Sequence, residues 1–300
     1  MNQLEFTNAV EGWYKLEAID SSGNCRLLAD WFPNLITNAG LNRMGEFSDY
    51  LEHCQIGTGT TPPVVTDVGL AARTASVTSP TRTYEVKNVP PYYSTSVNVY
   101  VFPTGVARTV SEIGVGWASI GSLFSRVVLL DTRGTPLIVR TSSDESLRVS
   151  YQLRVYPPEA DTVGTSTIFG TARTWTARAA GVTNSRDFAA SWSLPSTSYT
   201  PSQVAASAIA YNGGIGAITS TPTGTASTSV VNSQAYGNNT LIRSIDALWD
   251  FSAGNLSGGI RSVRVTVGWT SWQIEFNPPI AKNSSRILSL KFTHSWARKV

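Results

Sequence analysis

The run Leu147-Arg-Val-Ser-Tyr-Gln-Leu-Arg-Val-Tyr156 alternates apolar and polar side chains without a break. In an extended strand successive side chains point to opposite sides, so Leu147, Val149, Tyr151, Leu153 and Val155 share one face and Arg148, Ser150, Gln152 and Arg154 the other. A strand with one dry face needs a second layer to cover it. The segments before it, Glu112–Trp117, Leu123–Leu130 and Pro136–Val139, are short and rich in β-branched and aromatic residues. Gly, Pro, Asp and Ser separate them, which is how successive antiparallel strands read.

Upstream, Trp13–Ile19 and Cys25–Phe32 flank the turn Asp20-Ser-Ser-Gly-Asn24 and predict a hairpin. Asn38 is a good helix N-cap, and Leu41, Met44, Phe47 and Leu51 follow at roughly helical spacing, giving the one helix expected in the chain. Gly and Pro in Cys54–Pro63 stop it and begin a loop. In Ser96–Phe102 the apolar set Val97, Val99, Val101 alternates with Ser96, Asn98 and Tyr100, the pattern of a half-buried strand.

Pro157-Pro158 predicts an end to the first domain, since neither proline can donate a ladder bond. From Glu159 to Thr240 the composition shifts to Ser, Thr, Ala and Gly with few charges, but Phe169, Trp175, Phe188, Trp192, Tyr199, Tyr211 and Tyr236 are spaced through it. Apolar anchors of that density predict irregular β structure, with a flexible linker as the alternative. The closing segment then repeats the earlier pattern: Ser262–Trp269 matches Ser111–Trp117, Trp272–Phe276 matches Leu123–Leu130, and Ile287–Trp296 matches Leu147–Tyr156. Duplication, or two sandwiches obeying one pattern, would each produce this.

Leu35-Ile-Thr-Asn-Ala-Gly-Leu-Asn-Arg-Met44, Ile56-Gly-Thr-Gly-Thr-Thr-Pro-Pro63, Thr66-Asp-Val-Gly-Leu70 and the block Glu112–Pro136 occur in an order that resembles tailed-bacteriophage virion structural proteins. Those proteins are tail, tail-fibre, baseplate or neck-collar components. The resemblance runs from about Trp13 to Tyr156 and is weak beyond it. It implies a virion part made in the host bacterial cytoplasm, with other virion proteins as partners and homo-oligomerisation as its mode of assembly.

Recognised catalytic apparatus does not emerge from the sequence. There is no Gly-x-Ser-x-Gly elbow and no phosphate loop, and Gly57-Thr-Gly59 and Gly114-Val-Gly116 lack the context of a dinucleotide loop. Cys25, Cys54, His53 and His294 cannot be written as a metal cluster of usual spacing, so neither metal nor other cofactor is expected. His53 and Cys54 are adjacent and would face opposite ways in a strand. His294 shares a face with Leu288, Leu290 and Phe292, so an interior or subunit-facing histidine is expected, and two reduced core cysteines, with a disulfide as the alternative. The acid pairs Asp144/Glu145, Asp246/Asp250 and Glu159/Asp161 carry no sign of divided roles. Scattered basic residues and a net charge of +3 give no nucleic-acid groove, and no run approaches the ~18 apolar residues of a membrane helix.

The charged fraction of 14% is well under the roughly 25% of an ordinary soluble domain, and surfaces this low in charge are often covered by neighbours. The expected fold is mainly β: two β-sandwich-like domains, 1–156 with one short helix and 241–300, joined by an irregular β connector over 157–240. The expected function is non-enzymatic assembly. Interface residues are Ile56, Gly57, Thr58, Gly59, Pro62, Pro63, Asp67 and Leu70, with Trp175, Trp192 and Tyr199 from the tract Gly164–Thr240. The alternative is a host-surface glycan-binding tail-fibre module, using Trp175, Trp192, Trp249, Trp269, Trp272 and Trp296 as stacking platforms. A polysaccharide-degrading enzyme is a third reading.

Overall fold

The computed structural model describes residues 2–46, 49–131, 133–182 and 206–299. The chain is mainly β, and its strands fall into two series of similar order. The first series is β1 (Asn2–Ile19), β2 (Cys25–Pro33), β3 (Leu35–Ile36), the helix α1 (Asn38–Glu46), β4 (His53–Gly57), β5 (Arg73–Thr78), β6 (Thr81–Lys87) and β7 (Tyr93–Phe102). It continues with β8 (Arg108–Val110), β9 (Glu112–Gly116), β10 (Leu123–Val128), β11 (Val139–Thr141) and β12 (Ser146–Tyr156). The second series is β13 (Thr162–Ile168), β14 (Thr171–Ala179), β15 (Ala206–Tyr211), β16 (Ala226–Thr228), β17 (Val230–Ser233), β18 (Ile242–Trp249), β19 (Ile260–Val267), β20 (Thr270–Ile280) and β21 (Leu288–Arg298).

The same arrangement occurs twice. One sheet runs β3-β10-β9-β4-β5 and another runs β13-β14-β20-β19-β15-β16, so β10-β9-β4-β5 has its counterpart in β20-β19-β15-β16. Opposite them, β12-β7-β6 has its counterpart in β21-β18-β17. Hydrogen bonds outside the ladders repeat too. Thr58 N donates to Ala72 O and Asn212 N to Thr225 O, while Ser111 Oγ donates to Gly59 O and Ser262 Oγ to Gly213 O. The recurrence in the sequence is thus a recurrence of structure, β9, β10 and β12 against β19, β20 and β21.

The two halves share one sheet. β1 pairs antiparallel with β12 over Ala9–Ile19 and parallel with β21 over Asn2–Val10, joining the second sheets of both halves into the order β17-β18-β21-β1-β12-β7-β6, with β2 beside β1. The expected boundaries near 157 and 241 therefore do not separate the sheets, and 157–240 contributes β13 to β17. A composition shift marks where charge becomes scarce; it carries no information about which strand a segment will pair with.

The dry face predicted for β12 is buried: Leu147, Val149, Tyr151, Leu153 and Val155 are all inaccessible, and the four aliphatic side chains each stabilise the fold by roughly 1.5–3 kcal/mol over exposure. The hairpin also forms, β1 against β2, with Asp20 Oδ1 accepting from Ser22 N and Asn24 N. In β7 the apolar face is the outer one. Ser96, Asn98, Tyr100 and Phe102 are buried, whereas Val101 is 49% exposed. Register decides this, because Tyr100 lies opposite Val149 and Phe102 opposite Leu147, while Val101 lies opposite Arg148.

The helix is capped by Thr37, one residue before the expected Asn38: Thr37 Oγ1 accepts from Gly40 N at 2.8 Å and donates to Leu123 O at 2.6 Å. Leu41, Met44 and Leu51 are buried, Leu51 beyond the helix end, and Phe47 lies outside the described residues. Gly40 sits against the backbone of β10, where a Cβ would lie 2.2 Å from Phe124 O. Residues from the second half close over the other side, with Trp296 Nε1 donating to Leu41 O and Tyr236 Oη to Asn42 Oδ1, both at 2.9 Å.

His294 on β21 is fully buried, as expected, with its ring edge-on to Trp269 at 4.9 Å and hydrogen-bonded through Nε2 to Asn8 Oδ1. Burial lowers its pKa to about 3 from 6.5. The folded chain therefore refuses a proton that the unfolded chain takes up below pH 6.5, so stability is full above that pH and declines as pH falls toward 3. Two outcomes follow for denaturant titrations. Gly40→Ala should cost about 1–3 kcal/mol, since the obstacle is backbone. Between pH 6.5 and about 5, above most carboxylate titrations, the wild type should lose up to about 1.4 kcal/mol per pH unit, a slope His294→Gln should remove.

Candidate functional site: a buried ion network under an exposed loop

Glu112 opens β9 and Arg126 lies within β10, adjacent antiparallel strands in which Glu112 lies opposite Val128 and Arg126 opposite Gly114. Both are buried. Arg126 Nη2 and Nε donate to Glu112 Oε2 at 2.9 and 3.2 Å, Nη1 donates to Asp67 Oδ2 at 2.7 Å, and Nη2 also reaches Thr61 O at 3.0 Å. Glu112 accepts three backbone amides: Gly59 N at 3.1 Å and Ala72 N at 2.6 Å on Oε1, and Ala71 N at 3.0 Å on Oε2. Buried charges are tolerable when most of their hydrogen-bonding capacity is taken up by partners of opposite sign and by backbone groups, as it is for Glu112 and Arg126.

This network fastens the loop 58–72 at both ends and in the middle. Glu112 holds Gly59 at its start and Ala71 and Ala72 at its end, and Arg126 holds Thr61 and Asp67 between. Asp67 Oδ2 takes Val64 N at 2.9 Å, and Val65 O takes Asn38 N at 2.8 Å, tying the loop to the helix start. The glycines are required by proximity. A Cβ on Gly57 or Gly59 would come within 2.6 and 2.5 Å of Glu112 Oε1.

Of the expected interface residues, Ile56, Gly57 and Gly59 are buried and serve the network or core, Thr58 and Pro62 are exposed, and Pro63, Asp67 and Leu70 are half-buried. The apolar groups the loop shows to solvent are others: Val64 at 53%, Val65 at 38% and Val68 at 70% exposure. Trp175 is buried on β14, and Trp192 and Tyr199 lie outside the described residues. Trp249, Trp269, Trp272 and Trp296 are core side chains, unavailable as sugar platforms. Sequence reading missed Glu112 and Arg126, though each is a charge in a short apolar strand, which is itself a signal of buried pairing.

Around this loop the surface is grooved. Two adjoining hollows of about 570 and 440 Å³ share Pro33, Val127, Val128 and Leu130. Leu28 and Phe32 of β2 wall the first, and Pro62 and Pro63 the second.

The remaining candidates for chemistry are dispersed. Cys54 is buried and burial pushes its thiol up, while Cys25 is exposed rather than in the core, against Glu17 and Arg148; both are free thiols. Glu145 is held by Arg26 and Asp161 by Arg178, and Asp250 receives the amides of Ser252 and Ala253. Among the described residues no group of three His, Cys, Asp or Glu could hold a metal ion, and no helix is long and apolar enough to cross a membrane.

No family model, curated protein or solved structure matches this chain.

Removing one member of the network strands the others in a dry site. Arg126→Met should cost about 3–5 kcal/mol in urea denaturation. It should also expose 60–70 to limited proteolysis under native conditions, where the wild-type loop resists.

Proposed function

We propose that this chain is a structural, non-enzymatic component of a tailed-phage virion, of the neck/collar, tail or baseplate, acting through oligomerisation and docking to other virion proteins. One observation carries the reading. The runs that resemble phage virion proteins, Ile56–Leu70, Glu112–Trp117 and Leu123–Arg126, meet at the Glu112–Arg126–Asp67 network, and the loop it fastens presents Val64, Val65 and Val68 to solvent.

A loop already held by charge-assisted hydrogen bonds loses little conformational freedom when a partner covers it, so its apolar surface converts more fully into affinity. Docking through such a surface needs no reactive group. Repeated around a rotation axis, the contact closes into a ring, the common outcome for identical subunits. The low charge of the sequence is consistent with surface that neighbours cover.

Sedimentation of the purified chain should give a closed oligomer, and Val64→Asp with Val68→Asp should give a monomer of unchanged circular dichroism. Mass spectrometry should find the chain in purified particles. A wild-type monomer at every attainable concentration, absent from the particles, sinks the reading.

A further inference from the structure

The two halves differ where their inner sheets end, and the difference coincides with the groove. In the second half β14 runs along the outer edge of β20 for six residues, from Thr174 opposite Asn277 to Ala179 opposite Trp272. Its inward side chains Trp175, Ala177 and Ala179 are buried between the layers. In the first half the matching edge of β10 is covered, among the described residues, by β3 at Ser125 and Arg126 and by Thr37, whose N donates to Phe124 O and whose Oγ1 donates to Leu123 O. Upstream of Leu35 the chain leaves for the other sheet, where Pro33 and Phe32 pair with Trp13 and Tyr14 of β1. Among the described residues Val127 and Val128 consequently pair on one side only, with β9. The hollow of about 570 Å³ opens there, between that edge and β2.

We infer that this groove binds an extended segment of a partner chain of the β14 kind, with apolar side chains at alternate positions and a Lys or Arg. The inference rests on the docking role proposed above and names what one docking surface takes. The walls supply the apolar requirement: Leu28, Phe32, Val127, Leu130 and Leu137 line the hollow. The charge requirement comes from its lining, in which Asp30 and Asp131 are the charged side chains among the described residues. An added strand gains affinity from main-chain hydrogen bonds and selectivity from pockets for alternate side chains. Here the pockets are apolar and the charge at the lining is negative, so a basic, apolar strand fits and an acidic one is repelled.

β14 itself supplies the probe. A fluorescein-labelled peptide Thr-Ala-Arg-Thr-Trp-Thr-Ala-Arg-Ala, the sequence of Thr171–Ala179, is titrated with the full chain and followed by anisotropy. Saturable binding is expected, weakened about tenfold or more by Leu130→Lys and by Asp30→Lys, and by replacing both peptide arginines with glutamate. Leu130 and Asp30 are exposed, so neither variant threatens the fold. No binding of the peptide, or binding indifferent to both variants and to the charge reversal, overturns the proposal. Self-association that Leu130→Lys abolishes and the peptide does not compete with would place a second copy in the groove, which also overturns it. Should the chain still form closed oligomers and appear in particles while the peptide fails, the assembly reading stands and this groove is not its docking surface.

Discussion

The shared first strand is what the rest of the structure depends on. β1 faces its even-numbered residues inward, with Leu4, Phe6, Val10, Tyr14, Leu16 and Ala18 all buried. Its C-terminal half completes the ladder of β12 and its N-terminal half the ladder of β21. One continuous backbone thus satisfies the edges of two sheets that would otherwise present unpaired amides and carbonyls to solvent. The pairing senses differ, antiparallel on one side and parallel on the other, so the two similar halves meet β1 without being related to it in the same way. The aromatic contacts follow from this placement. Phe6 stacks on Trp272 of the second half at 4.9 Å, and Tyr14 meets Tyr151 of the first at 4.8 Å.

Against that frame the Glu112–Arg126–Asp67 network serves position more than stability. Taking a guanidinium and two carboxylates out of water costs much of what their attraction returns, and apolar residues of equal volume could pack as well. What apolar packing lacks is direction. Three amides on one carboxylate and a guanidinium fork on two acids define where each part of the loop must lie, and the glycines at 57 and 59 leave the carboxylate room to sit there. The exposed valines inherit that placement from residues that never touch solvent.

Comparison of the halves shows how one pattern supports two surfaces. On the β20 side, two extra strands extend the sheet, and Trp175 is enclosed. On the β10 side the chain spends the corresponding segment on β2, which pairs with β1, and leaves an apolar groove open. An edge of that kind is a hazard for nonspecific pairing unless something covers it or its rim carries charge, and Asp30 and Asp131 are at hand.

Much was legible in the sequence because it depends on near neighbours. Alternation at period two marked β12 and β21, turn chemistry marked the β1–β2 hairpin, and a short amphipathic run marked the helix. The recurrence near the C-terminus was visible as pattern, and the glycines and Asp67 could be singled out without their purpose being seen. Contacts between distant residues decided the rest. Which face of β7 is dry was settled by its register against β12, fifty residues on. Glu112 and Arg126 became a buried pair only when β9 and β10 came side by side beneath a loop that precedes both. The joining of both halves through β1 required residues 2–10 and 290–298 to meet. Local preference is written in each segment, but hydrogen-bond register and close packing belong to pairs of segments, and the chain settles those pairs only as it folds.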